Sequence, residues 1–196
     1  HSLSDMPTQT DSASKRDEII EVASKLFYEQ GYHRTGIQQI IQEAGAAKGT
    51  FYSHFKSKED LGIAWLKARH ATWNHWLLQF INPKKTPRSK IIGIFDFLGQ
   101  WMEEANFRGC AFLNTLCETP DCQNALRTEI SNHKRELFEL FRALIAEHHT
   151  TKTKNEQEQI ATTLFILFEG TLIQLQNFQD LSFLQIAKKQ AAALLD

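Results

Sequence analysis

Residues 35–61 read TGIQQIIQEAGAAKGTFYSHFKSKEDL, and the spacing of their apolar positions decides the fold. Ile37, Ile40, Ile41 and Ala44 recur three and four apart, which marks one face of a short α-helix. Gly45 is placed to stop it. A second short helix is expected from about Ala47 to His54, with Phe51 and Phe55 as its packing residues. Thr35-Gly36-Ile37-Gln38 and Ser57-Lys58-Glu59-Asp60 each have the form of a capping box, so a helix is expected to open at each. Two short helices joined by a glycine turn are the parts of a helix-turn-helix.

Outward from this stretch the helical pattern continues. Ser14-Lys15-Arg16-Asp17 is a further box, and Ile19, Val22, Ala23, Leu26 and Phe27 form a stripe that ends at Gly31. Downstream, Leu61 to Phe80 predicts a long helix closed by Asn82-Pro83. Thr86-Pro87 predicts a start with proline in the first turn, where its missing amide costs nothing. Arg108-Gly109 predicts a break, followed by a shorter segment from Cys110 to Leu116. A long helix carries Leu126 to Leu144, His148 to Asn155 read as a loop, and Glu156–Asn177 and Leu181–Leu195 are the last two helices. The class is all-α with about nine helices: a three-helix head over residues 14–56 and a larger helical body over 57–196, after a disordered arm over 1–13.

Four prolines, nine glycines and a charged share of 23% suit a soluble helical protein. No apolar run reaches membrane-spanning length, and the polar start lacks the apolar core of a signal peptide, so no membrane partner and a cytoplasmic location are expected. Cys110, Cys117 and Cys122 are odd in number and lack CxxC spacing, which argues against a disulfide framework or a metal site. No cofactor motif is present, nor any Gly-rich phosphate loop, HExxH or triad-like constellation, so an enzyme is not expected. The net charge of −1 does not advertise nucleic-acid binding. Position matters more: between Tyr32 and Lys58, the bases Arg34, Lys48, Lys56 and Lys58 face one acid, Glu43.

A helix that reads the major groove must expose short or hydrogen-bonding side chains, because long apolar ones would desolvate base edges without pairing them. Lys48, Thr50, Tyr52, Ser53 and His54 meet that demand. With LFYEQGYHRT before it, the stretch 35–61 resembles the signature of the TetR family: the AG turn, KGTFYSHF and KSKEDL fall at that family's spacing. The resemblance implies a bacterial regulator that binds double-stranded operator DNA as a homodimer. By the same resemblance Thr35 and Lys58 would hold phosphates at two helix N-termini, and Tyr52 would reach one through its hydroxyl. Lys48, Gly49, Thr50 and His54 would lie against base edges, with Ser53 nearby. Ala46-Ala47 departs from the family's frequent Val-Ser, which removes a helix cap worth on the order of 1 kcal/mol.

The resemblance also assigns the body. The last two helices would form the dimer interface, with Ile160, Leu164, Phe168, Leu172 and Leu175 as candidates; the alternative is that these residues close the protomer's own core. An inducer pocket would lie among the middle helices, where Trp65, Trp73, Trp101, Phe112 and Phe141 could line a site for an apolar or flat molecule. Arg108-Gly109-Cys110 with Asn114 and Glu118 resembles a GC…N…E pattern in a branch whose members respond to electrophiles or oxidants. Cys110 is therefore a candidate sensor, its thiol favoured as thiolate by a helix N-terminus and by Arg108; a buried, inert cysteine is the alternative. The expected function is a repressor released from its operator by a small-molecule inducer, an electrophile being one candidate class.

Overall fold

The Ser14 hydroxyl accepts a hydrogen bond from the Asp17 amide at 3.3 Å, and α1 (Lys15–Gln30) starts there in the computed structural model, which describes residues 14–119 and 125–196. The arm expected over 1–13, and Cys122, lie outside the described residues. Gly31 ends α1 at φ 97°, a backbone conformation open to glycine and strained for other residues. Two short helices follow, α2 (Ile37–Glu43) and α3 (Lys48–His54), with Gly45 at φ 56° in the turn between them.

Neither short helix has a side-chain cap. At α3 this is the consequence of Ala47 standing at the N-cap. At α2 it corrects the reading of Thr35 to Gln38 as a capping box. The N-cap is Gly36, and the Thr35 hydroxyl is spent elsewhere, donating to the carbonyl oxygens of Gly31 at 2.8 Å and Leu26 at 3.3 Å. The box at Ser57 does form, since Ser57 Oγ accepts from the Asp60 amide at 3.0 Å as α4 (Lys58–Ile81) begins.

The remaining helices are α5 (Pro87–Glu104), α6 (Ala111–Glu118), α7 (Ala125–His148), α8 (Lys154–Phe178) and α9 (Ser182–Leu194). Reciprocal capping boxes open α5 at Thr86 with Ser89 and α8 at Thr153 with Glu156. Asn106, Phe107 and Gly109 all have positive φ, so the chain between α5 and α6 makes a tight left-handed passage at the expected break. Nine helices and no strand occur among the described residues.

The described residues divide into two compact units. One contains 14–73, 111–119 and 125–132, so it joins α1–α3 to the first part of α4, α6 and the start of α7. Its core includes Ile19, Phe27, Ile40, Phe51, Leu61 and Trp65; Phe27 packs on Trp65 with ring centroids 5.0 Å apart. The other contains Asn74–Cys110 and His133–Asp196. There Phe95 of α5, Phe141 of α7 and Phe168 of α8 form a trio with centroids 6.0–6.3 Å apart, two of the three pairs edge to face. Such pairs contribute roughly 0.5–1.5 kcal/mol each beyond the area they bury. Gly99 lets α9 approach α5, because a Cβ there would collide with Leu184.

Candidate nucleic-acid interface

Phe51 and Phe55 are buried and fix α3 from below, Phe55 also lying under the Arg16 guanidinium at 5.3 Å. Pinned by these two, α3 turns Lys48, Gly49, Tyr52, Ser53 and His54 outward, with Thr50 half-buried at the edge of the same face. Tyr52 is 43% exposed, its ring edge-on to Phe51, so its hydroxyl end extends away from the core. The Ser53 hydroxyl donates back to the Thr50 carbonyl at 2.7 Å, which ties one polar group of this face to its own helix.

The two expected helix-terminal anchors sit differently. Thr35 is 0% exposed, and its hydroxyl is committed to Gly31 and Leu26. Its side chain is therefore an internal staple rather than a phosphate ligand, because the backbone carbonyls at the end of α1 take its only proton. Lys58 folds back over the Tyr32 ring at 4.6 Å and donates to the His33 carbonyl at 3.3 Å. Burial pulls its pKa below the ordinary lysine value, and the nearby Glu118 carboxylate works the other way. Tyr32 is itself pushed up to about 12, chiefly by burial and secondarily by Glu59.

Glu118 was expected only as part of a pattern, yet it has a defined place. Its two oxygens accept from the amides of Tyr32 at 3.2 Å and His33 at 2.6 Å. A contact 85 residues apart in sequence leaves no periodic signal, so it could not be read from the chain.

In the second unit Leu164, Phe168, Leu172 and Leu175 face the protomer's own core, with Ile160 half-buried. These residues, expected at the dimer interface, fill the alternative role of core packing. The opposite side of α8 carries the exposed apolar groups: Ile166 at 63% and Ile173, flanking Gly170, whose Cβ position faces open space. Ile166 and Gly170, with Phe183 and Ile186 of α9, line a shallow open groove. The signal was present as Ile166 and Ile173 seven residues apart, but the denser inward stripe masked it.

Of the five aromatics considered for an inducer, Trp65, Trp73 and Phe112 belong to the first unit and Trp101 and Phe141 to the second. All five are buried, Trp65 donating its indole N–H to the Ser24 hydroxyl at 3.2 Å and Trp101 stacked on Phe97. Cys110 is also buried, directly before α6. The cation beside it is not the exposed Arg108 but Lys134 of α7, whose Nζ lies 3.7 Å from Cys110 Sγ and 2.8 Å from Glu169 Oε2. Burial lowers the Lys134 pKa, but Cys110 and Glu169 together outweigh it and hold the ammonium above its ordinary value. Cys117 is exposed at the other end of α6. No group of three metal-ligating side chains comes together, and no helix is long and apolar enough to cross a membrane, among the described residues.

Comparison with known proteins agrees with this geometry. Residues 19–64, covering α1–α3 and the entry to α4, match the family model of the bacterial regulatory proteins of the tetR family. The HTH-type transcriptional repressor NemR of Escherichia coli is 23% identical over 164 residues, 81% of this chain and 82% of that one. The HTH-type transcriptional regulator YxaF of Bacillus subtilis is 28% identical over 185 residues, 92% and 95% of the two chains. A TetR-family regulator from Streptomyces coelicolor superposes with a TM-score of 0.83 at 22% identity, over 92% of this chain and 94% of that one. Residues 19–64 carry the DNA-binding domain of the tetR family of bacterial regulatory proteins, and the chain as a whole is similar to transcriptional regulators of that family and shares their fold.

Proposed function

We propose that this DNA-binding regulator is a cytoplasmic homodimeric repressor that leaves its operator when a small molecule binds, with the head at 14–56 reading DNA and the body at 57–196 dimerising and sensing. The exposed face of α3 carries the reading: one short helix, anchored by two buried phenylalanines, presents Lys48, Gly49, Thr50 and His54 together. Lys48, Thr50 and His54 contact base edges, while the backbone at Gly49 lets the helix approach closely. Tyr52 contacts a phosphate through its hydroxyl, and Ser53 supports the face through its bond to Thr50. Lys58 and the backbone beside Thr35 supply positive potential at the edge of the footprint.

Two heads reading a palindrome need a two-fold axis. The exposed stripe Gln159, Thr163, Ile166, Gly170, Ile173 and Asn177 on α8 contains no charge, as the centre of a protein interface requires. A second copy of this chain covers that stripe and the neighbouring face of α9. Contact with Trp65, Trp73, Phe112, Trp101 or Phe141 would favour an apolar or flat inducer.

The test is binding to duplexes that the protein itself selects from a randomised pool. Affinity should fall steeply with salt. Lys48→Ala and His54→Ala should relax sequence preference, whereas Tyr52→Phe should weaken selected and random duplexes alike. Equal losses on both duplexes for all three variants would reject this division of roles.

A second reading concerns Cys110, and Lys134 is the observation that favours it. The Lys134 ammonium lies 3.7 Å from the sulfur, and the nucleophile in such an addition is the thiolate. That thiolate adds to the double bond of an electrophile such as N-ethylmaleimide, forming a C–S bond while the neighbouring carbon takes a proton. Adding such bulk at a buried position would displace the start of α6. In a Cys117→Ser, Cys122→Ser background, which leaves Cys110 as the one thiol, N-ethylmaleimide should release DNA, and adding Cys110→Ser should abolish the release. Release that persists without Cys110 sinks this reading.

A further inference from the structure

The backbone joining α1 to α2 has its polar groups satisfied from four directions. The Gly31 amide donates to the Phe27 carbonyl at 3.1 Å, and the Gly31 carbonyl accepts from the Thr35 hydroxyl. The His33 carbonyl accepts from Lys58 Nζ. The amides of Tyr32 and His33 donate to the two oxygens of Glu118, the last residue of α6. The first three partners come from the helix-turn-helix region and the entry to α4. Glu118 comes from much further along the chain, 85 residues from His33.

Its seat is shaped for it. Two consecutive amides aimed at one carboxylate form charge-assisted hydrogen bonds, about twice as strong as neutral ones. A Cβ on Gly31 would lie 2.9 Å from Glu118 Oε1, so the carboxylate fits against a position that has no side chain. The clamped segment leads directly into α2, whose packing sets the angle at which α3 is presented.

We infer that Glu118 is a positioning residue for DNA binding: its carboxylate, seated on the Tyr32 and His33 amides, holds the link before α2 in the geometry α3 needs to engage DNA. The inference rests on α3 being the reading helix. Withdrawal of the C-terminal end of α6 leaves two amides without their acceptor and frees the link to turn. It also removes from Lys58 the carboxylate that favours its charged form. Glu118 thereby makes the position of α6 a determinant of operator affinity.

The experiment uses the full chain, with Glu118→Ala and Glu118→Gln variants and a duplex of about 30 base pairs selected by the wild-type protein. Glu118→Ala should weaken binding about tenfold, and Glu118→Gln by less, since its amide keeps one acceptor oxygen without the charge. Amide exchange should quicken at Tyr32 and His33 while Phe51 in α3 keeps its protection, a pattern that general destabilisation would not produce. Affinity within about twofold of wild type for Glu118→Ala overturns the inference. So does a loss accompanied by faster exchange throughout α1–α3. If Lys48→Ala and His54→Ala leave binding intact, the reading helix has been misassigned; if they impair it while Glu118→Ala does not, only the role of Glu118 fails.

Discussion

Thr35 Oγ1 lies 2.8 Å from the carbonyl oxygen of Gly31, so the hydroxyl closes the end of α1 from inside the fold. Thr35→Val keeps the shape, removes the proton and leaves a buried carbonyl short of a partner. The expected loss is about 1–2 kcal/mol by urea denaturation, with Thr35→Ser close to wild type. A phosphate ligand would behave oppositely, with unchanged stability and weaker DNA binding.

The two faces of α8 differ in burial, and substitutions on them should have different effects. Phe168→Ala opens a cavity inside the aromatic trio with Phe95 and Phe141, and should cost about 3–5 kcal/mol. Ile166→Asp and Ile186→Asp alter side chains that are 63% and 62% exposed, so the protomer should stay folded. Sedimentation should then find monomers, and helical content by circular dichroism should be retained. Dimers that persist in the double variant would move the interface elsewhere.

Lys134 and Glu169 form an ion pair whose side chains are mostly buried. Lys134→Met strands the carboxylate and should destabilise the protein by about 3 kcal/mol. Lys134→Met combined with Glu169→Leu replaces both charges by apolar groups and should recover most of that loss. A double variant no more stable than the single one would show that the stranded charge was not the cause.

Glu156 closes the capping box of α8, and the Thr153 amide, then the Thr153 hydroxyl, hold its carboxyl below the ordinary value of 4.5. The folded chain thus binds this proton less readily than the unfolded chain. The contribution is fully present above the ordinary range and drains away as pH falls through the folded pKa. Glu156→Gln should therefore lower Tm at pH 7, and the gap to wild type should narrow steadily below about pH 4.

Helix positions and the recognition segment were legible in the chain because they are local. The helix starts at Ser14, Ser57 and Thr86, the stop at Gly31 and the packing of Phe51 and Phe55 depend on neighbours within a turn or two. Periodicity reports such relationships directly. Which of two apolar faces on α8 turns inward was not local, since both repeat at helical spacing and only the presence of α5, α7 and α9 selects one. The same holds for Thr35, whose sequence suits an N-cap but whose hydroxyl meets the end of α1 first. It holds again for Cys110, where a lysine 24 residues away supplies the cation that the adjacent Arg108 was expected to supply. The sequence by itself determined that a helix-turn-helix exists and which side chains its second helix displays. Tertiary structure decided which polar groups are already spent holding that helix in place, because hydrogen bonds and ion pairs between distant segments exist only once the chain has closed on itself.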